Sequence, residues 1–246
     1  MTACPDIRAL VAIPCFNERA NILRTLDDLL SHLPEGEFLV VDDGGADDTA
    51  AAVRAARLPR VTVVRHPVNL GYGCAIQTAA KYALVGGYDA VVFFDGDGQH
   101  SGSDVPIALA LIADGRADVA VASRFLGSCD YDIPLSRRAG MTVFRTLLRV
   151  LSGLRVTDPT SGFQALDRRA MRICASESFS TAFPDADMLL LYHRAGLMVT
   201  EFPGSFKPRT SGRSMHSFVS AVHYIYKMSI SMLVVALTPH KPDEAG

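Results

Sequence analysis

The chain has 246 residues, near-balanced charge (24 Lys and Arg, 26 Asp and Glu, formal net −2) and 49% hydrophobic residues. That length fills one large α/β domain, or one domain with a small extension. The charge balance excludes a basic footprint for nucleic acid, and five scattered cysteines with no C-x-x-C pair argue against a disulfide framework or a zinc site and fit a reducing compartment.

The opening residues, MTACPDIRALVAIP, run directly into a strand pattern and do not read as a secretory signal. Residues 9–13 predict a strand. Residues 17–30 predict a helix with Ile22, Leu23, Leu26, Leu29 and Leu30 on its apolar face. A second strand over 37–41 ends in Asp42-Asp43-Gly44-Gly45, and 47–57 reads as a helix with an acidic first turn. Strand 61–64, helix 71–84, strand 89–94, helix 104–113 and strand 118–122 follow. Short Val- and Leu-rich strands alternating with helices of ~10–15 residues predict crossover units and an α/β fold with a mostly parallel central sheet. Ligands in such folds bind at the carboxyl edge of the strands.

Residues 137–151 predict a basic helix striped by Met141, Phe144, Leu147, Leu148 and Leu151. Asp158-Pro-Thr-Ser-Gly-Phe163 breaks the pattern and leads to a short strand. A helix over 185–195, a strand over 197–202 and a Gly/Ser/basic loop over 203–217 come next. Residues 218–237 predict an amphipathic tail helix. His223 and Lys227 leave its uninterrupted apolar part, 228–237, too short to span a bilayer. Such a helix can lie on a membrane, pack on a partner or cover the domain. We expect one domain over 1–214, then helix and tail over 215–246.

The most informative segment is Phe93 to His100, FFDGDGQH. A buried strand ending in Asp-Gly-Asp-Gly delivers Asp95 and Asp97 to the sheet edge. Two hard oxygen donors there suit Mg²⁺ or Mn²⁺ and a diphosphate, although Asp and Gly also make ordinary solvated turns. The first strand closes with Pro14-Cys15-Phe16-Asn17-Glu18. Asn17 can cap the next helix with Glu18 in its first turn, or Glu18 can meet a ribose or base edge. Asp42 and Asp43 can accept hydrogen bonds from a nucleoside, or the segment is a turn capped by Asp47. Asn69-Leu-Gly71-Tyr-Gly73 opens a helix where backbone can approach a ligand closely. It follows the third strand rather than the first, which argues against a dinucleotide fingerprint. His66 reads as a surface histidine at a strand end.

In this order IPCFNE, VDDGGADDT, NLGYGCA, DGDGQH and Ser123-Arg124-Phe125 resemble the family 2 glycosyltransferases of the GT-A fold, and among them the polyprenyl-phosphate sugar synthases. The resemblance runs from about Val11 to Met215. It implies a GT-A, Rossmann-like sheet flanked by helices, with a C-terminal helical extension. It implies a nucleotide diphosphate sugar held by Pro14, Asn17, Glu18, Asp42, Asp43, Gly71, Asp95, Gly96, Asp97, Arg124 and Arg209. Asp95, Asp97 and Gln99 would form the shell of Mg²⁺ or Mn²⁺. Asp97, Arg124, Arg209 and Asp187 would be the catalytic groups, and Ser161 and Gly162 the acceptor loop. Where the family usually has Lys after the R-x-x-G-x-S segment, this chain has Met215.

The resemblance also implies transfer of a hexose with inversion. The acceptor would be a polyprenyl phosphate received by Arg137 and Arg138, with its lipid along Phe144, Leu147 and Leu148. An amphipathic element covering the domain explains the same helix equally well. The alternative acceptor is a sugar hydroxyl on a glycan or lipid-linked saccharide, with Asp187 as general base. A lipid acceptor places the chain in the cytoplasm, peripheral at the inner face of a membrane. That leaves room for an integral membrane partner and for a homo-oligomer.

Overall fold

The structure is a computed structural model, and it describes residues 7–130, 134–177, 179–181, 184–208 and 218–238. In chain order the elements are β1 (Ala9–Cys15), α1 (Ile22–His32), β2 (Glu37–Asp42), α2 (Thr49–Ala56), β3 (Val61–Arg65), α3 (Tyr72–Val85) and β4 (Ala90–Phe93). A single 3-10 turn, Gly102–Asp104, leads into α4 (Val105–Ala113). Then come β5 (Val119–Cys129), α5 (Leu135–Ser152), β6 (Gln164–Asp167), α6 (Arg168–Ala175), α7 (Ala186–Arg194), β7 (Val199–Phe206) and α8 (Phe218–Leu237).

The seven strands form one sheet in the order β3-β2-β1-β4-β6-β5-β7. The pairs β1–β2, β2–β3, β1–β4 and β5–β7 are parallel, and β6 runs antiparallel between β4 and β5. The strand order reverses direction between β1 and β4. That is the switch point, where a crevice opens beyond the carboxyl ends. Both β1 and β4 end there, β1 in Pro14-Cys15-Phe16-Asn17-Glu18 and β4 in the segment that carries Asp95 and Asp97.

Strand alternation splits the core between the two faces of the sheet. Leu10, Ala12, Val91 and Phe93 pack with α3, α5, α6, α7 and α8. Val11, Ile13, Ala90 and Val92 pack with α1, α2 and α4. Helix α8 lies on the first face, with Met228 and Met232 fully buried and Tyr224 edge-to-face on Phe144 of α5. Among the described residues no helix is long and apolar enough to cross a membrane.

Three local expectations change. Helix α1 starts at Ile22 rather than 17, because Asn17 sits at φ 57°, a left-handed conformation that Asn tolerates and a helix does not. Residues 203–206, expected in a loop, extend β7 alongside the lengthened β5. Helix α6 was not expected. It is short, and Asp167 caps it by accepting from Ala170 N at 2.8 Å.

Candidate active site

The acidic loop after β2 is a brace. Asp42 is buried, accepts from Gly45 N at 3.0 Å, and lies 3.3 Å from Arg65 Nε. Asp43 is buried too. Its Oδ1 accepts from Leu70 N at 2.9 Å and meets His66 Nδ1 at 2.7 Å, while Oδ2 accepts from Gly71 N at 2.8 Å. Asp43 thus ties the β2 loop to the start of α3, and His66 is a buried partner rather than a surface residue. Glu18 is buried as well and accepts from Asn21 Nδ2 at 2.7 Å. Pro14 is enclosed within β1. Asn17 stays exposed at the crevice, and its Oδ1 accepts from Ala46 N at 2.8 Å. The carboxylates expected to meet a nucleoside therefore hold the loops that frame that end of the crevice.

Asp95 and Asp97 both remain partly exposed beyond β4. Asp97 Oδ1 accepts from Gln99 N at 3.0 Å, which shapes the turn. Gly96 sits against Cys15 and Pro14 of β1. The Gln99 side-chain amide lies 3.5 Å from the Lys207 carbonyl, and Lys207 N donates back to Gln99 O at 2.7 Å. Asp95 is clasped: Tyr72 Oη donates to Oδ1 at 3.0 Å, and His100 Nε2 lies 3.2 Å from Oδ2. Burial works to raise this carboxyl. The His100 bond and charge, the Tyr72 hydroxyl and Arg124 outweigh it and hold the group below the usual carboxylate range. On the remaining side lies Gly162, where a Cβ would come within 2.6 Å of Asp95 Oδ2. Glycine is required there for Asp95 to keep its place.

Among the described residues no group of three or more His, Cys, Asp or Glu forms a metal cage. Two adjacent hard carboxylates do fit a cation such as Mg²⁺, which is held by one or two carboxylates and completed by water and substrate phosphate.

Arg124 is not presented to the crevice as expected. It is 5% exposed, and its Nε and Nη2 donate to Asp158 at 2.5 and 2.6 Å. Nη2 also reaches Thr160 O at 2.9 Å. Asp158 is in turn held by Glu201, which accepts from Asp158 N at 2.7 Å and from Thr157 N at 2.6 Å. This network binds β5, β7 and the loop before β6 together. In that loop Ser161 is buried, and among the described residues its Oγ has no hydrogen-bond partner.

Asp187 also lies elsewhere than expected. It is fully buried, and both of its oxygens are engaged. Oδ1 accepts from Asp185 N and Met188 N at 3.2 and 2.9 Å, and Oδ2 accepts from Ser231 of α8 at 2.5 Å. In this arrangement both carboxylate oxygens are taken up by the protein itself, not presented to an acceptor. Asp185, two residues earlier, is only half-buried and bonds Tyr224 of α8. Burial first, then the charges of Asp187 and Asp95, push its carboxyl up to about 6 against the Tyr224 bond and Arg137. Arg137, half-buried at the start of α5, thus bears on this corner, whereas Arg138 is exposed. Helix α3 closes the corner from above. A Cβ at Gly73 would lie 2.3 Å from Thr181 O, so only glycine admits that approach. Arg209, Gly212, Ser214 and Met215 lie outside the described residues.

Residues 10–173 match the sequence family described as Glycosyl transferase family 2. This chain belongs to that family. The family 2 glycosyltransferase is 33% identical over 217 residues to an undecaprenyl-phosphate mannosyltransferase of Micrococcus luteus, covering 86% of this chain and 88% of that one. It is 29% identical over 235 residues to a polyprenol monophosphomannose synthase of Mycolicibacterium smegmatis, covering 93% of this chain and 88% of that one. In three dimensions it is similar to glucosyl-3-phosphoglycerate synthase of Mycobacterium tuberculosis, crystallised with Mn²⁺ and UDP-glucose. The TM-score is 0.67 at 21% identity over 96% of this chain and 81% of that one, a likeness of fold. The protein is thus a glycosyltransferase enzyme with the GT-A architecture.

Three side chains of this glycosyltransferase's site carried no assigned role in the sequence: Tyr72, His100 and Asp185. His100 stood inside the acidic motif with two oxygen donors drawing attention from it. Asp185 was hidden by its neighbour. The signal that separates them is helix phase, since α7 begins at Ala186 and turns residue 187 into the core.

Proposed function

We propose that this glycosyltransferase is an inverting, metal-dependent hexosyltransferase that moves a sugar from a nucleotide diphosphate sugar to a polyprenyl phosphate. The pair α5 and α8 is the observation that carries the acceptor. Over 18 and 20 residues neither helix contains a single Asp or Glu, while Arg137, Arg138, Arg145, Arg149 and Lys227 supply cations. The outer face of α8 is largely apolar, and that of α5 mixes apolar side chains with Arg138, Thr142, Thr146 and Arg149. Leu135 and Val150 are exposed on α5, and Val222, Tyr226, Ile230, Leu233, Val234 and Leu237 recur at helical spacing on α8. The opposite face of α8 delivers Tyr224 to Asp185 at the site. A lipid phosphate along this surface would set its head near Arg137 and its chain on these exposed side chains. The chain would not lie, as the sequence suggested, along Phe144, Leu147 and Leu148, of which Phe144 and Leu148 are buried in the core and Leu147 packs against it. The two relatives named above, whose names place a polyprenyl phosphate or polyprenol in their chemistry, support the same reading.

A phosphate acceptor is already anionic, so no base is needed. Asp185 then orients Tyr224 and Arg137, and Asp187 pins α8 to α7. The loops braced by Asp42, Asp43 and Glu18 frame the nucleoside, with Asn17 and backbone at its edge. Asp95 and Asp97, with Gln99 beside them, would hold Mg²⁺ or Mn²⁺, whose charge stabilises the leaving diphosphate. Arg209 joins them as a phosphate contact. Arg124 acts through the field it places on Asp95 and through the loop it anchors. Attack on the face opposite the diphosphate inverts the anomeric carbon.

The test is nucleoside diphosphate release from UDP-, GDP- and dTDP-sugars with Mg²⁺ or Mn²⁺, with and without a short-chain polyprenyl phosphate. Release that requires the lipid phosphate is the expected result. Release that requires a saccharide instead would replace the acceptor and make Asp185 the base.

The same face predicts peripheral association with an anionic membrane from the cytoplasmic side. Leu233→Asp/Val234→Asp replaces two exposed side chains without touching the buried face of α8. Partitioning onto anionic vesicles is expected to fall about tenfold or more, with unchanged far-UV circular dichroism. Equal sedimentation of both proteins would remove α8 from the membrane contact.

A further inference from the structure

His100 has no task in the chemistry above, yet its surroundings are specific. The imidazole is 6% exposed. Phe94, Phe163 and Phe206 surround it edge-to-face, with centroids at 5.5, 5.4 and 5.0 Å. A phenyl ring would serve that packing as well. Among the described residues Nδ1 is buried with no hydrogen-bond partner, a desolvation cost that a phenyl ring avoids. For the fold alone, histidine is the poorer choice at this position.

The other nitrogen supplies the reason. Nε2 lies 3.2 Å from Asp95 Oδ2. An ionised carboxylate only accepts, so Nε2–H donates. Tyr72 Oη takes the other oxygen at 3.0 Å, and Gly162 closes the third side. Without these contacts a partly exposed aspartate at a strand end would turn about its side-chain torsions. With them, its carboxylate plane is set before any ligand arrives. The main chain at His100 is held independently by an antiparallel bridge to Phe206, so changing the side chain leaves the loop anchored.

We infer that His100 is a positioning residue: together with Tyr72 it fixes the Asp95 carboxylate in the orientation that ligates a divalent cation, and histidine is kept there for that task at the expense of packing. The inference rests on the reading of Asp95 and Asp97 as the metal-binding pair. Groups that hydrogen-bond a metal ligand set its orientation, and their loss typically costs about 10–100-fold in metal affinity or activity.

The test measures Mn²⁺ binding by the electron paramagnetic resonance signal of the free ion, without donor or acceptor, beside thermal melting. The proteins are wild type, His100→Phe, His100→Gln, Tyr72→Phe and Asp95→Asn. His100→Phe should bind Mn²⁺ about tenfold or more weakly while its Tm is unchanged or higher. His100→Gln, whose amide can donate to the same oxygen, should recover part of the affinity. Tyr72→Phe, which loses one hydroxyl, should show a smaller drop with no change in Tm. Wild-type Mn²⁺ affinity in His100→Phe, or failure of that variant to fold, assigns the ring to packing and overturns the inference. So does a fall in both affinity and Tm that His100→Gln does not rescue. If Asp95→Asn binds Mn²⁺ as wild type does, the metal-binding reading of the pair fails first, and the inference falls with it.

Discussion

Asp97→Asn is expected to lower sugar transfer by about 100-fold or more while leaving the melting temperature where it was. The substitution keeps the side chain's size and an Oδ1 that can still accept from Gln99 N, now at 3.0 Å, so the turn after β4 survives. What is lost is one negative charge at the point where the leaving diphosphate and its cation would be held. Asp97 is partly exposed and lies in a loop, so little stability depends on its charge. The measurement is nucleoside diphosphate release at saturating donor, with circular dichroism as the folding control. Full turnover in Asp97→Asn would take the aspartate pair out of the chemistry and leave the site to be sought elsewhere in the crevice.

Asp158→Ala is expected to destabilise the protein by about 3–5 kcal/mol, the usual loss when one partner of a buried ion pair is removed. Asp158 is fully buried and receives Arg124 through the backbone N–H at 3.0 Å, Nε at 2.5 Å and Nη2 at 2.6 Å. Alanine would strand a buried guanidinium whose remaining contacts include the Thr160 carbonyl and the Phe206 ring. Urea unfolding would show the loss as a lower midpoint with an unchanged slope. The same substitution should weaken activity beyond its effect on stability, since the network holds the loop that carries Gly162 against Asp95. A loss below about 1 kcal/mol would mean that Arg124 reaches water and that the network is no anchor.

Much of the fold was legible because its signals are local. Val- and Leu-rich strands between helices of regular period gave the element order through β5, and glycine and aspartate marked the strand ends. The family was legible from five short motifs in a fixed order. Element ends were less so. Asn17 and Glu18 look like a helix start, yet the chain needs a left-handed turn at Asn17 to bring its side chain to Ala46 N, and α1 waits until Ile22. β7 runs into the segment read as a loop because β5 continues beside it, and pairing between strands 80 or so residues apart leaves no mark in either one.

Side-chain roles divided along the same line. The sequence by itself determined the chemistry available at the switch point: two hard carboxylates after β4, a glycine-rich start to α3, and a pair of acid-free helices. Those depend on residue type and spacing, which are written in the chain. Only the tertiary structure decided which charged groups face the crevice and which are consumed in building it. Arg124 is paired with Asp158, Asp43 with the backbone of Leu70 and Gly71, and Asp187 with Ser231, partners that lie 34, 27, 28 and 44 residues away. A buried charge must find a partner when the chain closes around it. Whether a carboxylate meets substrate or braces a loop is therefore settled by packing, at distances along the chain that no local pattern records.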